Sequence, residues 1–324
     1  MSAFTRHIDA ALEWSVVGSF TRVGSALRRR FNHWTPLEGM RIDGRVIVMS
    51  GATSGLGAEA ARAFAEMGAT LEIIARNAGK ADKTCAELRE QTGNPNIRFV
   101  LADTGDLAAL RRAAAEISER HPLIHVLIHN AGALDDHYRA SPQGLELTVA
   151  SQVVGPHLLT TLLLPALEAA GSARVLWVSS GGMYSEPLAT DRLQMKPSEY
   201  QGTTAYARAK RAQVALVRLW ADKLAADHVV VHAMHPGWAD TPGVERSLPT
   251  FRRIVGPLLR TPADAADTLV WLAVDDGVPR ECSGLFWLDR EPRPVHRLES
   301  TRRSDTPEER ARLWSWVSKA SGLA

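Results

Sequence analysis

The chain has 324 residues, 45% hydrophobic and 23% charged, a globular composition that supports one large α/β domain with appendages or two small domains. Its net charge of +2 gives no reason to expect a nucleic-acid partner, and no run reaches the roughly 18 apolar residues that a membrane span needs. The two cysteines, Cys85 and Cys282, exclude a disulfide framework and lack metal-ligand spacing, so we expect no metal and a reducing, cytoplasmic compartment.

The first 40 residues differ from the rest of the chain. Apolar residues recur three or four positions apart, at Phe4, Ile8, Leu12, Val16, Phe20, Val23, Leu27 and Phe31. Basic residues lie among them, at Arg6, Arg22, Arg28, Arg29 and Arg30. The spacing predicts an amphipathic helical extension at 1–40. Residues 1–31 would make a peripheral contact with an anionic membrane, or the helix would dock on this protein's core or on a partner subunit. Asp9 and Glu13 interrupt any apolar region of a secretory signal.

From Arg41 onwards, short apolar segments alternate with helical patterns. Strands are predicted at 45–49, 70–75, 97–101, 124–128, 174–178, 228–233 and 284–288. Helices are predicted at 57–67, 79–91, 107–119, 144–170, 204–226 and 263–274. This alternation indicates an α/β fold, a doubly wound parallel sheet of about seven strands with helices on both faces. We assign it to one domain at 41–292.

A C-terminal tail and helix at 293–324 follow a stretch rich in proline and arginine. Thr306 and Glu309 form a capping box, and Pro307 occupies the first helical position. We expect Leu313, Trp314 and Val317 to pack this helix against the body of the protein.

A glycine-rich stretch, Ser50 to Gly57, joins the first predicted strand to the helix that follows it. Glycines let the backbone approach a phosphate closely, and a helix N-terminus supplies unpaired N–H groups with a partial positive charge. The stretch therefore predicts a pyrophosphate site. A tight turn without a ligand is the alternative interpretation.

Arg76 ends the second predicted strand, nineteen positions after Gly57. An acidic residue about twenty positions on would bind the ribose diol of NAD, whereas an arginine suits the 2′-phosphate of NADP. NADP is therefore predicted in preference to NAD. The alternative is a surface arginine that caps the end of a strand.

Tyr206 and Lys210 lie one helical turn apart, so they share a face of their helix. A lysine ammonium there is expected to lower the pKa of the phenol, which then exchanges a proton with a carbonyl or alcohol oxygen. Ser180 follows the strand at 174–178, at the sheet edge where open α/β folds bind ligands. We expect Ser180 to orient the reacting oxygen through a hydrogen bond.

Together these features resemble the short-chain dehydrogenase/reductase family over about residues 41–290. The family's T-G-x-x-x-G-x-G turn is matched from Ser50 to Gly57, with serine in the first place. The remaining family motifs are matched by His129, Asn130, Ala131 and Gly132, by Asp103, by Ser180, Tyr206 and Lys210, and by Pro236, Gly237 and Thr241. Stretches at 179–183, 210–214 and 235–244 are similar to the retinol-dehydrogenase-like group within the family. The resemblance implies a Rossmann-type sheet.

It also implies an NADP-dependent oxidoreductase that transfers a hydride between nicotinamide and a carbonyl or alcohol carbon. Tyr206 would be the acid/base, Lys210 would lower its pKa and bind the ribose, and Ser180 would orient the oxygen. The implied cofactor-binding residues are Gly51, Thr53, Ser54, Gly55, Leu56, Gly57, Arg76, Asn77, Asp103, Asn130, Ala131, Gly132, Tyr206, Lys210, Pro236, Gly237 and Thr241. Asp103 is expected near the adenine and Thr241 at the nicotinamide carboxamide.

One position departs from the family pattern. Gln152 stands where an asparagine is usual, a residue whose backbone carbonyl holds a relay water in the family and whose side chain steadies a helix kink. Since a glutamine keeps that backbone carbonyl, the resemblance assigns Gln152 to the catalytic set. By the same resemblance, helices at 144–170 and 204–226 pair two subunits into a homodimer, unless the N-terminal segment covers that face.

The interval between Ser180 and Tyr206 supplies candidate walls for a substrate pocket. These are Met183, Tyr184, Leu188, Leu193, Met195 and Tyr200, together with Trp238 and the segment 242–259. Such residues favour a small lipophilic carbonyl or alcohol substrate, although they would equally pack a lid. A second hypothesis is an NADP-binding sensor or partner protein with little turnover.

Overall fold

The computed structural model describes residues 3–225, 228–247 and 249–323. Its N-terminal segment contains three helices: α1 (Ala3–Trp14), α2 (Val16–Phe20) and α3 (Arg22–Phe31). The predicted helical extension is therefore present as three helices rather than one. Ser15 is extended and its hydroxyl accepts a hydrogen bond from the Gly18 amide at 3.0 Å, so a new helix begins there. The side chains of Phe4, Arg6, Ile8 and Val16, on which that prediction partly rested, lie outside the described structure.

Within the described ranges the sheet has eight strands, in the spatial order β3-β2-β1-β4-β5-β6-β7-β8. The strands are β1 (Val46–Ser50), β2 (Thr70–Ala75), β3 (Ile97–Leu101), β4 (Val126–His129), β5 (Arg174–Val178), β6 (Val230–Met234), β7 (Phe286–Leu288) and β8 (Glu291–Pro292). Strands β1 to β7 pair in parallel, which confirms the predicted doubly wound sheet. The additional two-residue strand β8 pairs antiparallel to β7.

Helices cover both faces of the sheet. They are α4 (Gly55–Glu66), α5 (Ala78–Thr92), α6 (Leu107–Arg120), α7 (Leu147–Val149), α8 (Gly155–Ala169), α9 (Gly202–Lys223), α10 (Pro242–Ser247), α11 (Pro249–Val255), α12 (Pro262–Val274), α13 (Val278–Glu281), α14 (Glu299–Ser304) and α15 (Pro307–Ala320). Side chains of β1 alternate between the two cores: Ile47 and Met49 pack with α4 and α12, and Val48 packs with α6, α8 and α9.

The C-terminal helix α15 lies against α8 and α9, as its capping box and apolar residues predicted. The Trp314 ring meets the rings of Trp220 and His157 edge-on, with centroids 5.0 and 4.8 Å away. Leu313 and Val317 are fully buried beside it. This helix therefore covers part of the face through which the family resemblance predicts a homodimer, a role that the sequence suggested for the N-terminal segment. The homodimer itself stays a prediction.

Within the described residues, one helical stretch is long and apolar enough to cross a membrane by length and hydropathy, although the sequence predicted none. It runs over Leu147–Ala169 with a mean hydropathy of 1.4. Polar side chains such as Gln152 and Thr160 interrupt it, so no continuous apolar run marks it. In the structure 72% of its 18-residue apolar window is buried, and the stretch packs against β4 and α6, as a core helix does.

Candidate active site

A cleft of about 870 Å³ opens at the carboxyl ends of the central strands. It is lined by Gly51, Thr53, Ser54, Gly55, Leu56, Gly57, Arg76, Asp103, Asn130, Ala131, Gly132, Ser180, Tyr206, Lys210, Pro236, Gly237 and Thr241, among others. The structure thus brings together all the predicted site residues except Asn77 and Gln152. The Asn77 side chain instead accepts a hydrogen bond from the Lys80 amide at 2.9 Å and caps α5.

The glycine turn packs too closely for a side chain at Gly51 or Gly57. A Cβ atom on Gly57 would lie 2.1 Å from the Gly51 carbonyl oxygen and 2.4 Å from Asn130 Nδ2. Asn130 Nδ2 donates to that carbonyl at 2.8 Å, which fixes the turn to the end of β4. Ser54 precedes α4 without capping it through its side chain, so the first N–H groups of α4 face the cleft uncapped. This arrangement fits a pyrophosphate.

At the far end of the cleft, Arg76 follows β2 and Asp103 follows the neighbouring strand β3. Arg76 Nη1 lies 3.9 Å from Asp103 Oδ2, and both side chains are exposed. A long ion pair in water holds the guanidinium weakly. Arg76 therefore keeps donors available for a phosphate, and the carboxylate of Asp103 is available for an adenine amine.

Ser180, Tyr206 and Lys210 converge where β5 meets α9. The Ser180 hydroxyl accepts a hydrogen bond from the Gly182 amide at 3.1 Å, and a Cβ atom on Gly182 would lie 3.6 Å from Ser180 Oγ and 3.9 Å from Tyr206 Cε1. Lys210 Nζ donates to the Val178 carbonyl at 2.9 Å and lies 5.2 Å from the centroid of the Tyr206 ring. A serine, a phenol and an amine are thus held at one edge of the sheet, where they can orient and protonate an oxygen.

Burial shifts the pKa values of Tyr206 and Lys210. It raises the pKa of the Tyr206 phenol, against the opposing effect of the hydrogen bond from Ser180. It also lowers the pKa of the Lys210 ammonium to about 7. The sequence predicted that the charge of Lys210 lowers the pKa of the phenol. In the chain alone the pKa of Tyr206 is instead raised, because desolvation is the largest effect on it. An amine that is half neutral near pH 7 attracts a phenolate only weakly.

Gln152 lies behind the cleft, in a π-helical turn, Ala150–Val154, between α7 and α8. Its side-chain Nε2 donates to the Ala133 carbonyl at 2.7 Å. Its backbone carbonyl oxygen accepts a hydrogen bond from Gln213 Nε2, also at 2.7 Å. Its Oε1 is buried and has no hydrogen-bond partner among the described residues. A Cβ atom on Gly132 would lie 3.0 Å from this oxygen and 3.3 Å from Lys210 Nζ. Gln152 Oε1 and Lys210 Nζ are therefore both close to the point where a side chain at Gly132 would begin.

The predicted pocket walls are partly wrong. Four of the named residues are buried in the core and do not line the cleft: Met183, Tyr184, Leu188 and Leu193. Met195 and Tyr200 also lie outside its lining. The cleft is lined by three of the predicted apolar residues. Trp238 was predicted by name, and Val244 and Phe251 fall within the predicted segment 242–259.

The sequence missed a polar wall after β4, to which Asp135, His137 and Arg139 contribute. The Asp135 carboxylate and the Arg139 guanidinium form an ion pair there. These residues directly follow the Asn130–Gly132 motif at the end of a central strand. Their position after this motif is the sequence signal that could have identified them.

Comparison with known proteins places the chain in a family. The profile of the family described as short chain dehydrogenase matches residues 45–250. Dehydrogenase/reductase SDR family member 12 of Homo sapiens is 37% identical over 272 residues, covering 83% of this chain and 84% of that protein. Polyprenol dehydrogenase of Homo sapiens is 30% identical, with coverage of 89% and 90%.

Among solved structures, an uncharacterized protein from Mycobacterium Paratuberculosis superposes with a TM-score of 0.71 at 26% identity. The superposition covers 89% of this chain and 97% of that one. Sequence, fold and the arrangement of the cleft agree. This chain belongs to the short-chain dehydrogenase/reductase family.

Proposed function

We propose that the chain is an NADP(H)-dependent oxidoreductase that interconverts a carbonyl and an alcohol on a hydrophobic substrate. Membership of the family makes it an oxidoreductase that uses a nicotinamide dinucleotide. The convergence of Ser180, Tyr206 and Lys210 beside the glycine turn is the observation that carries the proposal. When bound, the nicotinamide supplies or accepts the hydride.

The residues at the two ends of the cleft would hold the dinucleotide. The uncapped N-terminus of α4 suits the pyrophosphate, and Arg76 suits a 2′-phosphate because its guanidinium is exposed and only loosely paired with Asp103. Pro236, Gly237 and Thr241 line the opposite end. A phosphate contact by Arg76 favours NADP over NAD.

Tyr206 would transfer the proton at the substrate oxygen. Ser180 and Tyr206 both line the cleft beside Gly182, so both hydroxyls would be available to hydrogen-bond one substrate oxygen. Because burial raises the pKa of this phenol, it is a proton donor at neutral pH in the chain alone. Negative charge brought into the cleft by a dinucleotide favours the protonated form of Lys210, which then stabilises a phenolate.

An apolar substrate body is supported by the aromatic side of the cleft. Trp238 and Phe251 meet edge-on, with ring centroids 5.1 Å apart, and both line the cavity. Polyprenol dehydrogenase, 30% identical to this chain, is named for a long-chain alcohol. The polar wall at Asp135 and Arg139 would face solvent or the polar end of such a molecule.

The decisive experiment is NADPH oxidation across a panel of hydrophobic aldehydes and ketones with the wild type and Tyr206→Phe. We expect turnover with at least one compound and a loss of about 100-fold or more in the variant, because only the acid/base hydroxyl is removed. Tyr138→Phe, which removes a hydroxyl elsewhere, is the matched control and should retain activity. NADPH binding without Tyr206-dependent turnover would favour the alternative, an NADP-binding sensor.

A further inference from the structure

Phe20, at the end of α2, is buried between two loops of the active site. Its ring is 4% exposed and meets the rings of His235 and Trp238 edge-on, with centroids 4.5 and 5.9 Å away. His235 and Trp238 flank the Pro236–Gly237 turn that lines the cleft. The loop after β6 therefore packs against one side of the Phe20 ring.

The other neighbour of the ring is the loop after β5. A Cβ atom on Gly181 would lie 2.5 Å from Phe20 Cε2 and 3.1 Å from Cζ. The ring thus occupies the space that a side chain at position 181 would need. Gly181 is bonded to Ser180, so Phe20 supports the backbone that carries this serine.

The backbone of Phe20 also holds the second loop. Its carbonyl oxygen accepts hydrogen bonds from the Trp238 amide at 2.7 Å and from Arg260 Nε at 3.0 Å. Gly237 has a φ of +73°, and a Cβ atom there would lie 2.7 Å from the Phe20 oxygen and 2.3 Å from Arg260 Nε. The left-handed turn at Gly237 is therefore packed directly against Phe20 and Arg260.

A buried ion network fixes α2 and α3 in this place. Arg28 donates to Asp289 at 2.7 Å, and Arg260 donates two hydrogen bonds to the same carboxylate. Arg28 also pairs with Asp9 and Glu13 of α1, each at 2.7 Å. Arg28, Arg260 and Asp289 are almost fully buried, so the pairing is hardly screened by water.

We propose that Phe20 is a positioning residue of the active site. Its ring and carbonyl set the distance between the loop that carries Ser180 and the loop that carries Pro236, Gly237 and Trp238. The N-terminal segment would then be an integral part of the catalytic domain. The assignment of a catalytic task to these loops rests on the proposed function, whereas their mechanical support by Phe20 does not.

Hydrogen–deuterium exchange of the chain without any ligand tests the support directly. In Phe20→Ala, peptides covering 179–182 and 235–241 should exchange at least about tenfold faster than in the wild type. Peptides of β1 should be unchanged, and Val23→Ala, an exposed site on α3, should leave all three regions as they are. Phe20→Leu should restore most of the protection. Unchanged exchange of both loops in Phe20→Ala would overturn the proposal.

A double-mutant cycle adds a functional readout. Gly181→Ala should lower the kcat of Tyr206-dependent NADPH oxidation by about tenfold in the wild type, because the new methyl group collides with the Phe20 ring. In the Phe20→Ala background, where the space is free, the same substitution should cost less than about threefold. Equal losses in both backgrounds would contradict the proposal. If no turnover is found at all, the proposed function fails, and the exchange experiment still decides the role of Phe20.

Discussion

Lys210, which is buried, and Tyr206, which is half-buried, share one face of α9, with the Lys210 nitrogen 5.2 Å from the centre of the Tyr206 ring. Burial penalises the charged form of each group: it lowers the pKa of the ammonium to about 7 and raises that of the phenol. In the chain alone the pair is therefore held away from its active, charged state. A residue buried at such a cost in stability is a candidate for function.

Lys210→Met should stabilise the chain in the absence of cofactor. The folded pKa of about 7 lies below the unfolded value of 10.5, so the penalty for burying the ammonium is complete below pH 7 and disappears by about pH 10.5. We expect the variant's free energy of unfolding to exceed that of the wild type by on the order of 2 kcal/mol at pH 6. The gain should shrink as the pH rises. Urea denaturation at pH 6 and pH 9.5 measures both values, and a pH-independent difference would contradict the burial effect.

Arg76→Asp should shift the cofactor preference from NADPH towards NADH. The guanidinium is exposed, and its nearest carboxylate partner, Asp103, is 3.9 Å away, so removing it disturbs little of the fold. Loss of a charge-assisted contact with a 2′-phosphate costs about tenfold to a hundredfold in affinity. Titration of both cofactors by fluorescence gives the ratio, with Arg98→Asp, at an exposed position near the start of β3, as control. An unchanged ratio would refute the assignment of Arg76.

The fold was predictable because its signals are local. Every predicted strand is present, and the largest shift at a strand start is two residues, as for 124–128, which is observed as Val126–His129. The cleft followed from the same alternation, since parallel strands bring their carboxyl ends to one edge. Gly57 and Lys210, far apart in the sequence, therefore line the same cleft, although no sequence pattern links the two positions directly.

Side-chain direction outside regular elements was not predictable in this way. Met183 lies in a 3-10 turn, Gly181–Tyr184, which directs its side chain into the core. Its closeness to Ser180 in the sequence therefore gave the wrong prediction that it lines the pocket. The N-terminal pattern has the spacing of one helix, but the breaks at Ser15 and Thr21 fold it back on the body. The pKa of Tyr206 likewise depends on burial, which spacing does not reveal.

Gln152→Ala should lower turnover by about tenfold, less than the loss of a direct acid/base group. The Gln152 side chain lies close to Lys210, and its Oε1 is an unused acceptor within the described structure. Gln152→Asn, which keeps an amide but shortens it, should retain more activity and a pH profile closer to the wild type. Steady-state rates between pH 6 and 9 separate the variants. If both leave turnover unchanged, the position has no special role.

Membrane contact through residues 1–31 is still a prediction. The structure limits the side chains that could make this contact to those exposed to solvent. Trp14 is 91% exposed, and Arg22 and Arg30 are exposed on α3. Arg28, in contrast, is buried and forms ion pairs within the protein. Trp14→Glu should reduce co-sedimentation with phosphatidylserine vesicles by about half or more, because it replaces an interfacial anchor with an anion. Leu123→Glu, at an exposed site before β4, is the control. Equal pelleting of wild type and Trp14→Glu would end the membrane hypothesis.

Asp289→Asn should destabilise the fold strongly, because the carboxylate faces two buried guanidinium groups, those of Arg260 and Arg28. Burial raises the pKa of Asp289, but the two arginines outweigh it and hold the pKa below its ordinary value. Removing one partner from such a network leaves buried positive charge uncompensated, at a cost of about 3 kcal/mol or more. We expect a loss of this size in the free energy of unfolding at pH 7.

The pH dependence provides the sign test for Asp289. A carboxylate whose folded pKa is depressed stabilises the fold above its unfolded pKa of about 3.9, and this contribution is lost as the pH falls through the folded pKa. The difference between wild type and Asp289→Asn should therefore be constant from pH 7 to about pH 5 and shrink below about pH 4. Asp43→Asn, in the exposed pair with Arg41, should change stability little at any pH. A loss for Asp289→Asn no larger than for Asp43→Asn would show that the buried network does not hold the N-terminal helices against the catalytic domain.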